Sequence, residues 1–320
     1  MLTTEPSMTP ERPCGVIVIP TFRRPEGLAK TLCHVARLVT TADLTVLVAD
    51  NDLEQQAGVS VVRRLQRDGY RFPLRCITVA QTGVVRVRNV LLAEALSVPN
   101  ATFVACLDDD EWPAPDWLSA LLDMQQQTGA DAIGGTVLPV FTAPPPAWIG
   151  RMELYWQEAR DGSVDMLWAT SNVLLSRAMI SELGPEFFDP RFGRSGGEDT
   201  EFFHRARAAG FRFAWASAAV VFETVPESRL SLNWMIKRSF RIGGTNALIQ
   251  LGYRYKRLGR ARVLAKACGR LLVTAIRSLL PLLGRSHPRR SQAVARFLFL
   301  SARSLGEVAA LSGYRFVSYR

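Results

Sequence analysis

The stretch FVACLDDDEWP, residues 103–113, joins a short apolar run to three aspartates and a glutamate. The apolar run is typical of a buried strand. Because like charges repel, acids at the end of such a strand cost free energy unless a cation lies beside them. Asp108 and Asp110 stand two apart in an extended segment and point to the same side, while Asp109 points elsewhere. The stretch predicts a site for Mg²⁺ or Mn²⁺, with a solvated acidic turn as the alternative.

Similar apolar runs recur up to residue 223. Helical periodicity follows the first three of them, at 25–38, 59–69 and 84–96. This alternation predicts an α/β, Rossmann-like fold with a mostly parallel sheet covered by helices. Ligands bind beyond the carboxyl ends of such strands, and polar residues stand there. The runs are CGVIVIPTF (14–22), LTVLVADN (44–51), LRCITVA (74–80), FVACLD (103–108), AIGGTVLPVF (132–141) and FRFAWASAAVVFE (211–223).

A second acidic segment is GGEDTEFFHRARAAG, residues 196–210. Gly196 and Gly197 allow the backbone to approach a ligand closely. Glu198 and Asp199 then begin a predicted helix. Acids in a first helical turn also complement the helix dipole, so a purely structural role is equally consistent with this segment.

Charge is divided unevenly along the chain. The 320 residues are 48% hydrophobic and 21% charged, typical of a folded globular protein, with a formal net charge of +10. Residues 229–320 hold 19 Lys and Arg against one acid, whereas residues 1–228 hold 20 basic and 28 acidic residues. We therefore expect a mildly acidic catalytic or binding domain followed by a basic tail that meets an anionic surface.

Neither the N-terminus nor the cysteines indicate secretion. Residues 1–13 contain no apolar signal segment, and their Pro, Ser and Thr content predicts a disordered lead-in. The five cysteines are scattered and form no CxxC pair, which favours reduced core thiols in a cytoplasmic protein. They are Cys14, Cys33, Cys76, Cys106 and Cys268.

The basic tail contains two predicted amphipathic helices, 263–283 and 292–311. A membrane-spanning helix would bury their aligned charges at roughly 2.5–3.5 kcal/mol each. We expect the helices to lie on an anionic cytoplasmic membrane face or, alternatively, to pack on the catalytic domain or in a dimer. Their apolar faces are too rich for nucleic-acid binding. The aligned charges are Lys266, Arg270 and Arg277, then Arg296 and Arg303.

Six motifs, in this order, resemble family 2 glycosyltransferases of the GT-A fold over about residues 14–245. The likeness is greatest to non-processive members that build bacterial exopolysaccharide repeat units on a lipid carrier, such as succinoglycan glucosyltransferases. It implies a catalytic domain at 14–228, with a nucleotide-sugar half (14–120) and an acceptor half (121–228), before a membrane-associating helical region at 229–320. The motifs are IPTFRRPEGLAKTL (19–32), VADND (48–52), GVVRVRN (83–89), LDDDEWPAPDWL (107–118), TSNVLL (170–175) and GGEDTEFFHRARAAGFRF (196–213).

The resemblance also implies which residues bind the nucleotide-sugar. The loop after the first strand lines the nucleotide pocket, and an aspartate ending the second strand reads uracil. The implied contacts are Pro20, Thr21 and Arg23 to the nucleotide, Asp50 or else Asp52 to uracil, Arg88 and Asn89 to diphosphate and sugar, and Asp108 to ribose, with Asp109 also among the nucleotide-sugar-binding residues.

For catalysis, Asp199 matches the general base of members that invert the anomeric configuration, taking the proton of the acceptor hydroxyl as it attacks C1. Mg²⁺ or Mn²⁺ held by Asp110 and Asp108 would stabilise charge on the departing diphosphate. Many members use a His as a further metal ligand, and this chain has Glu223 near that place. The implied acceptor-binding residues are Asn172, Glu198 and Trp234.

The function predicted is an inverting, metal-dependent transfer of a hexose from a UDP-sugar, with UDP-glucose as first candidate, to a lipid-linked or other membrane-held glycan. The QxxRW signature of processive synthases is absent, which favours single addition. Nucleotidyl transfer stays open, although IPTFRRP is not a Gly-rich nucleotide loop, as does a non-catalytic nucleotide- or lipid-binding module. Three arginines contact diphosphate or else face solvent: Arg229, Arg238 and Arg241.

Overall fold

The computed structural model describes residues 12–81, 83–193, 195–253, 259–282 and 287–314. Most of the predicted disordered lead-in lies outside these residues. The strands are β1 (Cys14–Thr21), β2 (Asp43–Asp50), β3 (Leu74–Thr78), β4 (Phe103–Cys106), β5 (Glu111–Pro113), β6 (Ala132–Phe141), β7 (Gly162–Val164), β8 (Val173–Ser176) and β9 (Phe213–Val225). The helices are α1 (Pro25–Val35), α2 (Ala57–Arg67), α3 (Val84–Leu96), α4 (Trp117–Thr128), α5 (Arg177–Leu183), α6 (Glu198–Ala208), α7 (Leu232–Tyr253), α8 (Gly259–Leu282) and α9 (His287–Leu311).

One mixed sheet organises the catalytic part of the chain, in the order β3-β2-β1-β4-β8-β6-β9-β5, with β7 also paired to β9. The four strands β3, β2, β1 and β4 are parallel. β8 runs antiparallel between β4 and β6, and β6 pairs parallel with β9. The α/β architecture predicted from the apolar runs is confirmed, and the antiparallel strands are confined to its second half.

The central strands are apolar throughout because helices cover both faces of the sheet. One apolar layer packs around α3, α5 and α6, and the other around α1, α2 and α4. Gly15 in β1 makes room for a core ring, since a Cβ there would lie 2.2 Å from Phe103. These buried strands hold the polar residues that follow them at one edge of the sheet.

The three C-terminal helices pack together and against the sheet domain. α9 lies along α7, and Gly243 and Gly306 bring the two backbones into contact. Gln292 of α9 donates a hydrogen bond to the Ala147 carbonyl (3.1 Å). Of the two predicted amphipathic helices, α9 therefore packs on the sheet domain, which was the alternative to membrane binding. In the part of the chain that the structure describes, no helix is long and apolar enough to cross a membrane.

The aligned basic residues of α8 do not all face outward. Arg270 does not lie on an outer charged face but points inward, where it donates to buried Glu307 of α9 (2.8 Å). Buried ionised groups require such a partner, so the pair fixes the rotation of the helix. Leu272 and Ile276 are exposed instead. The side chain of Arg277 lies outside what the structure describes.

Two of the predicted core thiols are at the surface. Cys33 and Cys268 are exposed, Cys14 and Cys76 are half-buried, and only Cys106 is buried. The outward rotation of α8 accounts for Cys268, which stands four residues before exposed Leu272.

Candidate active site

The acidic turn after β4 lies at the carboxyl edge of the sheet. Its middle residue, Asp109, is buried and accepts hydrogen bonds from the Thr21 hydroxyl (2.8 Å) and Arg24 Nη1 (3.0 Å). Asp109, predicted to bind the nucleotide-sugar, is thus buried, and its hydrogen bond from Thr21 anchors the turn to the end of β1. Arg24 Nη1 also donates to Asp110 (2.8 Å). Burial, opposed by Arg24, raises the pKa of Asp109 to about 6.

Arg88 connects the two acidic segments. Its Nη2 donates to both oxygens of Asp108 (2.9 and 3.2 Å), and its Nη1 donates to Asp199 Oδ1 (2.7 Å) and Glu198 Oε1 (3.4 Å). Burial disfavours its charge, but attraction to these acids outweighs burial and raises the pKa of Arg88 well above its usual value. One guanidinium thus holds three carboxylates that are 20 to 111 residues away in sequence.

The candidate base is held through one of its two oxygens. Asp199 Oδ1 accepts hydrogen bonds from Arg88 and from the Thr170 hydroxyl (2.5 Å). No hydrogen bond from the described residues reaches Oδ2. Its neighbour Glu198 is buried, and burial together with the charge of Asp199 raises the pKa of Glu198 to about 7. Pro20, predicted to line the nucleotide pocket, lines a small pocket together with Arg88.

The end of β2 differs from its prediction. The Asp50 carboxylate is fully buried and accepts hydrogen bonds from the backbone N–H groups of Asp52, Gly58 and Val59 (2.8–3.1 Å). It joins β2 to the first turn of α2, so it does not face a nucleotide base. Asp52 is also buried, and Arg23 donates to it at 2.9 Å. Arg23 is half-exposed and is the residue of this group that can reach a ligand.

The two asparagines predicted as ligands have structural roles. Asn89 exchanges two hydrogen bonds with the backbone of Phe188 (2.8 and 2.9 Å), which fixes the loop before α6. Asn172 is 1% exposed; it accepts from Trp117 Nε1 (2.7 Å) and donates to the carbonyls of Thr136 and Ala219. Asn89 is thus bound to the backbone of Phe188, whereas Asn172 is bound within the protein and also lines the cavity beside Asp199 described below.

Glu223 lies close to the acidic turn but is held by an arginine. Arg229 donates to Glu223 (2.8 Å) and lies 3.8 Å from Asp110, so this arginine faces the predicted metal ligand. Glu223 stands directly opposite Glu111 in the β5–β9 pair. Burial and the charges of Asp108 and Glu223 raise the pKa of Glu111 well above its usual value.

Three participants were absent from the sequence prediction: Arg24, Thr170 and Glu111. Arg24 is adjacent to the predicted Arg23, and Glu111 continues the aspartate run, so both stood within the quoted motifs. Their roles depend on which way each side chain points across the sheet edge. Thr170 begins TSNVLL, and its contact with Asp199 spans 29 residues.

A cavity of about 560 Å³ opens beside Asp199 between the sheet domain and the C-terminal helices. Glu198 and Asp199 line it, and so do three tryptophans and a group of arginines. Trp234 is not among its lining residues: it packs on Tyr155 (5.9 Å between centroids) in an aromatic cluster that meets the cavity through Trp156. The aromatic and basic lining residues are Trp156, Trp168, Trp215, Phe299, Arg238, Arg241 and Arg303.

Sequence comparison identifies the family. The model of "Glycosyl transferase family 2" matches residues 16–183, and that of "Glycosyl transferase family group 2" matches residues 103–308. The chain is 37% identical to succinoglycan biosynthesis protein ExoM of Rhizobium meliloti (strain 1021) over 71% of this chain and 72% of that one. This chain belongs to glycosyltransferase family 2. It is therefore a glycosyltransferase, as the motif order predicted.

More distant relatives of this family 2 enzyme agree. A glucosyl-dolichyl phosphate glucuronosyltransferase of Haloferax volcanii is 29% identical over 47% of this chain and 51% of its own length. The Pyrobaculum calidifontis mannosyltransferase PcManGT, solved with GDP-Man and Mn²⁺, superposes with a TM-score of 0.57 (17% identity, 91% and 86% coverage). S. aureus TarS 1–349 with UDP gives 0.51 (14% identity, 94% and 92%). The GT-A fold is confirmed.

The acidic turn of this glycosyltransferase fits a hard cation only with help from a substrate. In the described ranges, no group of three or more His, Cys, Asp or Glu side chains is placed to hold a metal ion. Mg²⁺ bound with nucleotides needs only one or two carboxylates plus phosphate oxygens. Burial and the charge of Asp108 raise the pKa of Asp110, so negative charge is crowded there. Asp110 and Asp108 are suited to hold a cation jointly with a diphosphate.

Proposed function

We propose that this glycosyltransferase moves a hexose from a UDP-sugar, with inversion at the anomeric carbon, to a lipid-linked or other membrane-held glycan in exopolysaccharide or other cell-surface polysaccharide biosynthesis. The observation that carries the proposal is the placement of Arg88. Its guanidinium joins Asp108 at the sheet edge to Asp199 at the cavity, within 2.7 to 2.9 Å of each. A donor site and an acceptor site that meet at one cation suit transfer between them.

The relatives support the finer parts of this proposal. ExoM takes part in succinoglycan biosynthesis by its name, and TarS was solved with UDP and with UDP-GlcNAc. PcManGT was solved with GDP-Man and Mn²⁺, so the nucleotide base differs among proteins of this fold. We assign UDP on the first two relatives and propose Mg²⁺ or Mn²⁺ on the third.

In the proposed reaction, the acceptor hydroxyl gives its proton to Asp199 Oδ2 while its oxygen bonds to C1 of the sugar and the bond from C1 to the UDP oxygen breaks. Arg88 and Thr170 hold Oδ1, which leaves the other oxygen in a fixed direction. When bound at Asp110 and Asp108, a divalent cation would neutralise charge on the departing diphosphate. Arg229, beside Asp110, supplies a further positive charge.

We further propose that α8 carries the membrane contact. Its outward face places Leu264, Cys268, Leu272 and Ile276 four residues apart, and all four side chains are exposed. The surrounding region 229–320 has 19 basic residues and one acid. An apolar stripe in a basic region is suited to the interface of an anionic bilayer, which is where a lipid-linked acceptor lies.

The decisive experiment incubates the protein with UDP-glucose, Mn²⁺ and a membrane extract and follows radiolabelled sugar. We expect Asp199→Asn to lower transfer by roughly 10²–10⁴-fold and to leave UDP binding unchanged, because only the proton acceptor is lost. Asp110→Asn should instead weaken Mn²⁺-dependent UDP binding. Pyrophosphate exchange would indicate nucleotidyl transfer, and silence with every nucleotide sugar would indicate a binding module. Full turnover by Asp199→Asn would contradict the base assignment.

A further inference from the structure

Arg303 of α9 reaches the cavity without a hydrogen bond from its guanidinium to any described residue. Its closest acid is Glu153, whose Oε1 lies 3.9 Å from Nη1, beyond hydrogen-bonding distance, and whose side chain is 72% exposed. The Nε of Arg303 is buried and has no partner. The side chain itself is 28% exposed. A guanidinium has five N–H donors, and leaving them unpaired at a largely buried position costs free energy.

The acid behind Arg303 is paired through one of its two oxygens. Glu307, one turn along α9, accepts a hydrogen bond from Arg270 at Oε1 (2.8 Å) and is 2% exposed, while its Oε2 has no hydrogen-bond partner in the described structure. Burial and the charge of Arg270 lower the pKa of Arg303, against the attraction of Glu153 and Glu307. Among the described residues, Arg303 therefore has one long ion pair, to exposed Glu153, and no hydrogen bond from its guanidinium, at the wall of a cavity that opens to solvent.

The same wall carries three arginines among apolar and neutral polar residues. α7 contributes Arg238 and Arg241 to the cavity, and neither α7 nor α9 contributes an acid to it among the described residues. Four described acids lie on the other walls: Glu153 is exposed and 3.9 Å from Arg303, Glu158 accepts hydrogen bonds from Arg151, and Glu198 and Asp199 are held by Arg88. The cavity thus has an acidic catalytic end and a basic wall made by α7 and α9.

The remaining lining suits a sugar chain. Trp156 and Trp168 offer aromatic surface. Trp215 is 9% exposed, and its Nε1 has no hydrogen-bond partner in the described structure. A buried indole N–H without an acceptor is uncommon in folded proteins. A hydroxyl oxygen of a bound glycan can accept this bond.

We propose that the α7–α9 wall, centred on Arg303, binds an anionic group of the acceptor, a phosphate, diphosphate or carboxylate, while the hydroxyl to be glycosylated meets Asp199. The inference rests on the proposed function and names the chemical class of its acceptor. Arginine binds carboxylate and phosphate oxygens through paired, charge-assisted hydrogen bonds. A neutral glycan would leave Arg303 with only its long contact to Glu153 (3.9 Å), so the wall selects for a charged acceptor.

The test is calorimetric titration of the full chain, saturated with UDP and Mn²⁺ so that the nucleotide site is filled. The probes are farnesyl diphosphate, methyl glucuronide and the neutral methyl glucoside. We expect at least one anion to bind about tenfold or more tightly than the glucoside, and Arg303→Gln to weaken it by about tenfold or more. If only farnesyl diphosphate binds, the anionic group of the acceptor is a lipid-linked phosphate. If only methyl glucuronide binds, it is the carboxylate of a charged sugar.

Arg296→Gln is the matched control, since Arg296 is exposed on the same helix and does not line the cavity. Trp168→Glu provides a second test in case Arg303→Gln does not fold, as judged by its circular dichroism. Trp168 is an exposed residue that lines the cavity. A negative charge there should also lower the affinity for the anion by about tenfold. If the parent chain binds UDP and Mn²⁺ but binds neither anion, this inference is overturned. It is also overturned if Arg303→Gln binds the anion as tightly as the control Arg296→Gln does. Loss of UDP–Mn²⁺ binding in the parent chain counts against the proposed function instead.

Discussion

At the scale of single residues, Arg88 determines whether the site holds together. We expect Arg88→Gln to lower the free energy of unfolding by about 3 kcal/mol, because Asp108, Glu198 and Asp199 then repel one another with no cation between them. Urea unfolding followed by circular dichroism measures the change.

Arg75→Gln is the control for this substitution, because Arg75 pairs with Glu94 at 3.6 Å on the surface, where both side chains are well exposed. Its effect should stay within about 0.5 kcal/mol. Equal effects of the two substitutions would mean that Arg88 does not hold the acids.

Glu198 should make stability depend on pH. Burial and the charge of Asp199 raise its pKa to about 7, whereas the unfolded chain releases the same proton near 4.5. Below that lower value both states are protonated and the contribution to stability is full; it is lost as pH rises toward 7, because the unfolded state binds fewer protons. Glu198→Gln should remove a fall of roughly 2–3 kcal/mol in the free energy of unfolding between pH 4.5 and 7.5.

Urea unfolding at a series of pH values tests this prediction by the difference between parent and variant, which cancels other titrating groups such as Asp109. Glu182→Gln on the exposed side of α5 serves as control and should run parallel to the parent. If the free energy of unfolding of Glu198→Gln changes with pH as that of the parent does, Glu198 is ionised in the folded protein.

The residue types of the candidate site could be read from the sequence, but their partners could not. The end of a strand marked Asp108 and Asp110 as candidates, and the Gly-Gly-Glu-Asp segment marked Asp199, although a structural role was open for each segment and the order of the motifs was needed to choose. Asp50 and Asn89 carry the same kind of polar group, yet their bonds go to backbone groups of α2 and of Phe188. That choice depends on loop paths, which no local pattern specifies.

At the scale of elements, the crossing of α7 and α9 controls the shape of the cavity. A Cβ on Gly243 would lie 1.8 Å from the Arg303 carbonyl oxygen, and one on Gly306 would lie 1.9 Å from that of Phe240. Gly243→Ala or Gly306→Ala should therefore separate the helices and cost about 1–3 kcal/mol of stability. Transfer should fall as well, because both helices line the cavity.

The control is Gly269→Ala in α8, where nothing lies within 4 Å of the added carbon. Alanine in a helix that accommodates it should raise stability by about 0.4–1 kcal/mol. Thermal unfolding and transfer assays distinguish the cases. If Gly243→Ala melts at the same temperature as Gly269→Ala, the two helices are not in tight contact at their crossing.

The elements could be predicted unevenly, for a physical reason. β1 to β4 were clear because a strand buried on both faces is apolar throughout. β5 and β7, with three residues each, carry no periodicity. The rotation of α8 could not be predicted because apolar residues cover most of its surface, and the pair of Arg270 with Glu307, 37 residues apart, decides which side is buried.

At the scale of the whole molecule, the two charge regions form the two sides of one cavity. Acidic residues of the sheet domain line the end of the cavity that contains the candidate base, and the basic helices line the opposite wall. The structure thus relates the charge asymmetry of the sequence to the site as well as to an outer surface. Arg303 faces the cavity, whereas the exposed stripe of α8 presents apolar side chains, so these two features of the basic region carry different proposals.

The outer surface yields the last prediction. The stripe on α8 includes Leu272 (64% exposed) and Ile276 (56% exposed), which have no covering residue among those described. The double variant Leu272→Asp with Ile276→Asp should no longer sediment with vesicles that contain anionic phosphatidylserine. The two substitutions remove the apolar side chains that insert into the bilayer and add negative charge, which the anionic lipid repels. Folding should not change, since both positions are already in contact with water.

Val39→Asp provides the comparison for this double variant, because Val39 is equally exposed (68%) but lies in the sheet domain. It should sediment like the parent chain, and neutral phosphatidylcholine vesicles should bind all three proteins weakly. Added salt should reduce the binding of the parent only in part, since the apolar contribution is not screened. If the double variant sediments as the parent does, α8 is not the membrane contact, and the basic region must meet lipid through another surface or not at all.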